Sequence, residues 1–232
     1  MNFESWEPIY EAILSDLGFD RRSDERARDE LAELAESFDE RRLVPIEGAT
    51  VAVAGAGPSL DAELEVAADA DVVIAASTAA DRLLEAGVAV DVMTTDLDKN
   101  PGTARTLSHR GVPVAAHAHG DNRPAIREWV PRFDPENVLA TTQAAPVGPV
   151  RNFGGFTDGD RGAFLADHLG AARLAFPGWD FDDPSVTPTK RRKLEWAERL
   201  LRWLEIRRGE RFAVLDGRRE AIDPPDSAGG PS

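Results

Sequence analysis

The chain has 232 residues, and at about 150 residues per domain that length gives one large domain, or one domain with a helical appendage. Its 27 lysines and arginines against 42 aspartates and glutamates leave a net charge of −15, which argues against gripping nucleic acid or an anionic membrane through bulk charge. With no cysteine, disulfides, thiol catalysis and thiolate metal sites are excluded, and no apolar run approaches the roughly 18 residues of a membrane span.

Residues 1–45 read as an N-terminal helical segment. Asp24 is placed to cap a helix in which Ala27, Leu31, Leu34, Ala35 and Phe38 recur at three- and four-residue spacings. The opening Met1-Asn-Phe-Glu-Ser-Trp6 has no basic stretch leading into an apolar one, so a cytoplasmic protein without a secretory signal is expected. A turn with Pro45 and Gly48 follows. From 46 to 222 strand and helix signals alternate. Thr50–Ala54, Val72–Ala76, Val90–Thr95, Val112–His117, Val138–Thr142 and Ala172–Phe176 read as short buried strands, with helical stretches near 78–86, 101–109, 123–130 and 160–169. Apolar runs without strict alternation predict an α/β fold whose mainly parallel sheet is flanked by helices, Rossmann-like in architecture. A long helix near 189–207 carries Leu194, Ala197, Leu200, Leu201 and Leu204 on one face, and 223–232 reads as a frayed tail.

The basic residues are uneven: three lysines (Lys99, Lys190 and Lys193) stand against 24 arginines. Heavy acidity with so little lysine suits a salt-loaded, halophilic cytoplasm, where ionic screening removes the cost of self-repulsion. An acidic protein from a GC-rich genome would read the same way.

In a parallel sheet, ligands gather beyond the carboxyl ends of the strands. Five post-strand stretches carry chemistry there. Gly55, Gly57, Pro58 and Ser59 lie in a glycine loop whose amides could face a phosphate, although a tight strand-to-helix turn would use the same glycines. As a dinucleotide fingerprint the loop lacks its final glycine, and no Gly-Lys-Ser/Thr follows to make a Walker loop. Thr95-Asp96-Leu97-Asp98 places two aspartates two apart; on extended chain they point to one side, as a shared Mg²⁺ requires, and a solvated turn is the alternative.

His117, His119, Asp121 and Asn122 form the third stretch. Two zinc ions would be poorly supplied, so a neutral imidazole donating to phosphate or orienting a carboxylate is the expected use, with simple packing as the alternative. The fourth, Gly154 to Arg161, opens a helix with Thr157, Asp158, Asp160 and Arg161. Either aspartate suits a helix cap, and together with the arginine they suit a phosphate–metal cradle. In the fifth, Trp179 can stack on a flat heterocycle and Asp180 can pair with an N–C–N edge, with Lys190 and Lys193 just beyond. Phosphate, metal and ring-binding residues at one sheet edge point to transfer of a phosphate-containing group.

The chain resembles the archaeal 6-hydroxymethyl-7,8-dihydropterin pyrophosphokinase family over nearly its whole length. The likeness rests on Trp6, Tyr10 and Asp16-Leu-Gly-Phe19, on Gly55-Ala-Gly-Pro-Ser-Leu60, and on Thr95-Asp-Leu-Asp98. It extends through His117-Ala-His-Gly-Asp-Asn122, Gly155-Phe-Thr-Asp-Gly-Asp-Arg161 and Lys190-Arg-Arg-Lys-Leu194. Asp96-Leu-Asp98 is also similar to a stretch of thiamine pyrophosphokinases, which implies their kind of fold. The resemblance implies ATP as donor, a reduced hydroxymethylpterin as acceptor, Mg²⁺ as cofactor and AMP as product. It implies Asp96 and Asp98 on the metal, Asp121, Asp158 or Asp160 completing that site, and Arg161, Lys190 and Lys193 on negative charge. No nucleic-acid or membrane partner is expected, and a homo-oligomer is left open. Asp-x-Asp also suits a metal-dependent glycosyltransferase, and a nucleotide-sensing protein would need the same binding groups.

Overall fold

The structure is a computed structural model that describes residues 1–225. Most of the expected tail, from 226 on, lies outside the described residues. Two helices open the chain: α1 (Phe3–Leu17) and α2 (Arg21–Leu34). The Asn2 side chain caps α1, and Gly18, with φ 70°, ends it in the left-handed conformation that glycine adopts freely. Asp20, and not Asp24, caps α2, its side chain accepting from the Arg22 amide. Asp24 lies a turn further in, buried beside Ala27 and Leu31. The expected stripe ends there, because Ala35 turns extended and Leu34 faces solvent.

The rest of the described chain is a three-layer α/β body. Strands β1 (Thr50–Ala54), β2 (Val72–Ala76), β3 (Val92–Thr95), β4 (Val114–Ala118), β5 (Val138–Thr142) and β6 (Arg173–Ala175) form one sheet in the order β5-β4-β3-β2-β1-β6, with every pairing parallel. Between them lie α3 (Leu64–Ala68), α4 (Ala79–Glu85), α5 (Pro101–His109), α6 (Arg123–Trp129) and α7 (Asp158–His168), and α8 (Pro188–Arg208) follows β6. β3 and β4 each start two residues later than expected. The Asp91 carboxylate accepts from the Val73 amide just before β3, and Pro113, which has no amide to donate, precedes β4.

Both faces of the sheet are covered. Val51, Val53, Val72 and Ile74 pack with α1, α7 and α8, whereas Ala52, Ala54, Val73 and Ala75 pack with α2 and with the helices that follow β1 to β4. This is why the strands read as unbroken apolar runs. α7 crosses closest to the sheet centre. A Cβ on Gly162 would stand 3.0 Å from Ile74 Cγ2 and 3.2 Å from Val53 Cγ1, so its missing side chain lets the helix sit low. That seating aims the start of α7 over the carboxyl ends of β1 to β3.

Gly162→Val should lift α7 by overpacking and cost about 1–3 kcal/mol. Thermal unfolding would then fall by about 2–4 °C per kcal/mol. An unchanged melting temperature would mean that α7 has room to spare.

Candidate functional site

A cleft of about 850 Å³ opens across the carboxyl ends of β1 to β4, walled by the α1–α2 turn, the start of α7, the loop after β6 and the start of α8. Of the sequence-predicted site residues, Gly55, Gly57, Asp96, Asp98, His119, Asp121, Thr157, Asp158, Arg161, Trp179, Asp180, Lys190 and Lys193 line it. Pro58, Ser59, His117, Asn122 and Asp160 do not.

The acidic centre is built by a strained turn. Leu97, buried and at φ 68°, occupies the left-handed region, where a bulky residue persists only when its surroundings hold it. Asp96 and Asp98 therefore do not share a side by extended-chain alternation. The turn brings them together instead, with the Asp98 amide donating to Asp96 Oδ1 at 3.2 Å. Asp96 Oδ2 lies 3.2 Å from His119 Nε2, and His119 Nδ1 lies 3.3 Å from Asp121 Oδ1. Burial opposes charge on His119, but the flanking carboxylates of Asp121 and Asp96 overcome it and raise the imidazole pKa.

Across from this turn, the Thr94 hydroxyl donates to the Asp158 carbonyl at 2.8 Å, and Arg161 Nη1 donates to Asp158 Oδ1 at 2.9 Å. Burial and the charge of Asp96 push Asp158 up to about 7. Burial and the hydrogen bond with Asp96 push Asp98 up to about 6. Asp96 itself resists burial: the His119 and Asp98 hydrogen bonds and the Arg161 charge hold it well below the usual carboxylate range. Three carboxylates thus converge with too little positive charge to ionise together easily. Among the described residues no group of three or more His, Asp or Glu side chains is preassembled around a metal position. A Mg²⁺ ion, which keeps several waters and needs one or two carboxylates, suits this donor set.

The glycine loop departs from the phosphate-cradle expectation. The Gly55 amide donates to the Pro177 carbonyl at 2.9 Å and the Gly57 amide to the Gly178 carbonyl at 2.8 Å. The Ser59 amide is capped by Asp180 Oδ2 at 2.9 Å. The strands are added outward from β1 to β5 on one side and β6 is added on the other, and these bonds fill the crevice at that switch point with protein. The glycines serve loop-to-loop packing: a Cβ on Gly57 would collide with Asp180 Oδ2 and the Gly178 carbonyl. Asp180 correspondingly has one oxygen committed to the loop. Trp179 is fixed as well, its indole nitrogen donating to the Val53 carbonyl at 2.8 Å and its ring lying where a Cβ on Gly159 would be.

Three other expectations give way to structural roles. His117 is buried at the end of β4, with Nδ1 3.0 Å from the Thr141 hydroxyl. That hydroxyl also lies 3.3 Å from the Ala116 carbonyl, and burial with the Arg161 charge holds the imidazole pKa well below its ordinary value. Asn122 donates to the carbonyls of Asp96 and His117 and accepts from the His119 amide, tying the His119 loop to the acidic turn. Asp160 closes a capping box with Thr157, accepting from the amides of Phe156 and Thr157 and from the Thr157 hydroxyl. Thr157 is the cap, which leaves Asp158 to face the cleft.

The basic and aromatic wall lies at α8. Lys190 is exposed, and Lys193 Nζ stands 5.9 Å from the ring centres of both Phe19 and Phe156. Phe19, 41% exposed at the α1–α2 turn, lines the cleft although the sequence marks it only within a family motif. Asp24, which reads as a cap in the sequence, also lines it, as do Gln143 and Ser77, which have no role there. Ser77, at φ 50° beyond β2, had a signal only in its post-strand position.

A parallel α/β body with acidic, cationic and aromatic groups converging at the strand ends defines a phosphoryl- or nucleotidyl-transfer type of protein. Residues 25–185 match the family described as 6-hydroxymethylpterin diphosphokinase MptE-like, and the chain belongs to that family. It is 39% identical over 224 residues to a 6-hydroxymethyl-7,8-dihydropterin pyrophosphokinase of Methanothermobacter thermautotrophicus, covering 88% of this chain and 96% of that one. It is 38% identical to the protein of that name in Pyrococcus furiosus (88% and 95% covered), and 31% identical to the one in Methanocaldococcus jannaschii (88% and 96%).

Gly57→Ala separates the two uses of the glycine loop. Because the clash is with protein, the variant should lose more than about 2 kcal/mol of stability with no ligand present. Full stability with nucleotide affinity alone reduced would reinstate the phosphate cradle.

Proposed function

We propose that this chain transfers the β,γ-diphosphate of ATP to the hydroxymethyl group of 6-hydroxymethyl-7,8-dihydropterin and releases AMP. The observation that carries the reading is the cleft of a family member in which paired aspartates, Arg161 and two lysines converge at the strand ends. The relatives named for this reaction match the chain nearly end to end.

In the reaction the pterin hydroxyl oxygen attacks the β-phosphorus in line. The bond from that phosphorus to the α,β-bridging oxygen breaks, AMP leaves with the electron pair, and the hydroxyl proton departs to solvent or a carboxylate. Little covalent chemistry is asked of the protein, so its work is positioning and charge stabilisation. Asp96 and Asp98 would hold Mg²⁺, which when bound neutralises phosphate oxygens. Asp158 lines the same cleft and could add a carboxylate, whereas Asp121 reaches Asp96 through His119. Arg161, fixed by Asp158, offers its guanidinium to the transferred phosphates. Lys190 and Lys193, one turn apart on α8, extend positive charge along the triphosphate. Phe19, Phe156 and Trp179 supply aromatic surface for flat rings. His119, held between the carboxylates of Asp96 and Asp121, orients Asp96. The acidic, lysine-poor surface suits a protein working in a salt-rich cytoplasm.

With ATP, Mg²⁺ and the reduced pterin, chromatography of the products should show AMP rising with the pterin diphosphate. ADP in place of AMP would remove the proposal. Asp96→Asn and Asp98→Asn should each lower kcat by about 100-fold or more, with melting temperatures near the parent value, if the pair holds the metal. Near-normal turnover of both across a Mg²⁺ titration would make the pair an ordinary turn.

A further inference from the structure

Arg161 is 8% exposed, yet one of its two identified side-chain partners is a neutral amide. Nη1 meets Asp158, and Nη2 donates to Gln143 Oε1 at 3.2 Å. The other end of that amide, Gln143 Nε2, donates to Asp24 Oδ2 at 2.7 Å. Asp24 is 3% exposed and, among the described residues, has no cationic partner within ion-pair distance; the Tyr10 hydroxyl at 2.7 Å and the Gly120 amide at 2.6 Å complete its hydrogen bonds. The Gln143 carbonyl is held in turn by the Trp6 indole at 2.9 Å. Side chains and backbone from α1, α2, the β4 loop, β5 and α7 therefore meet in one buried chain of hydrogen bonds.

The amide has one workable orientation. Turned over, it would set N–H against guanidinium N–H and oxygen against carboxylate. The Asp24 carboxylate at one end and the guanidinium at the other fix the polarity of the bridge. Direct contact between Asp24 and Arg161 would put a second carboxylate on a guanidinium that already meets Asp158. The interposed amide keeps the hydrogen bond and its direction without adding a second negative charge beside the guanidinium.

We propose that Gln143 is a positioning residue, anchored by Asp24, that orients Arg161 toward the cleft for a phosphate-bearing ligand without adding a second carboxylate to the one the guanidinium already meets at Asp158. This rests on the reading of the cleft as a phosphate-handling site.

The test exchanges charge and amide without changing shape. In Gln143→Glu two carboxylates face each other in the interior, and the melting temperature should fall. In the double variant Asp24→Asn, Gln143→Glu, the amide introduced at position 24 can donate to the carboxylate introduced at position 143 and to the Tyr10 oxygen, and its carbonyl can accept from Gly120. The introduced carboxylate then accepts from Arg161, so the bridge is re-formed with net charge unchanged and only the Tyr10 O–H loses its acceptor. The double variant should therefore melt above the single Gln143→Glu variant. Its affinity for inorganic diphosphate, measured by calorimetry with Mg²⁺, should still be about tenfold weaker, and kcat should fall by about as much, because Arg161 now meets two carboxylates, Asp158 and the introduced one. Parent-like diphosphate affinity and turnover in the double variant would overturn the proposal.

Gln143→Met guards against a double variant that fails to fold. It keeps size and neutrality but loses the anchor, so diphosphate affinity should stay within about threefold while kcat drops about tenfold. Parent-like kcat there overturns the proposal as well. A parent protein that binds no diphosphate removes it outright. One that binds diphosphate but never releases AMP removes the diphosphotransferase reading alone.

Discussion

Val51 and Val53 point into one core and Ala52 and Ala54 into the other, so β1 has no side that meets water, and β2 shares this condition. Polar chemistry on such a sheet is possible only where the strands stop, because a buried polar group without partners costs free energy that apolar packing cannot return. The constraint orders the rest of the structure. Gly162 lets α7 approach the sheet, α7 brings Asp158 and Arg161 over the strand ends, and the turn at Leu97 brings Asp96 and Asp98 to meet them.

Concentrating carboxylates there creates a second problem, since neighbouring negative charges in a poorly solvated place repel. The structure distributes the burden unevenly. Asp96 receives His119, Asp158 receives Arg161, and Asp160 is withdrawn into the capping box of α7. What remains, on Asp98 and Asp158 at the cleft, is a raised affinity for a proton. The same logic explains why Asp24, more deeply buried, sits behind an amide and does not join the acidic centre.

The parallel sheet was legible because two-sided burial writes itself as apolar runs, and three strands, Thr50–Ala54, Val72–Ala76 and Val138–Thr142, begin and end where the pattern does. The post-strand rule drew attention to Asp96, Asp98, Asp158 and Arg161, which the structure gathers in one cleft. For the glycine loop it left phosphate contact and a tight turn equally open, because the amide partners, Pro177, Gly178 and Asp180, lie more than a hundred residues away and leave no local mark. Asp24 looked like a cap because caps and buried acceptors use the same residue. Only its contacts with Gly120 and Gln143, 96 and 119 positions on, tell them apart. Gln143 carried no signal, since a glutamine after a strand is ordinary until both its neighbours are known.

Those distant contacts also change what the first two helices are for. Trp6, Ile9 and Ile13 of α1 enter the core beneath β1, while Ala27 and Leu31 of α2 enter the core on the opposite face. The turn joining the helices presents Phe19 to the cleft, and Trp6, Tyr10 and Asp24 fasten Gln143 behind Arg161. A helical hairpin that merely covered apolar surface would need none of these polar contacts. Because it clasps the sheet from both faces and anchors the arginine, displacing it would expose two cores and release Arg161 in the same motion. The geometry of the cleft is therefore tied to the packing of residues that come more than a hundred positions earlier in the chain.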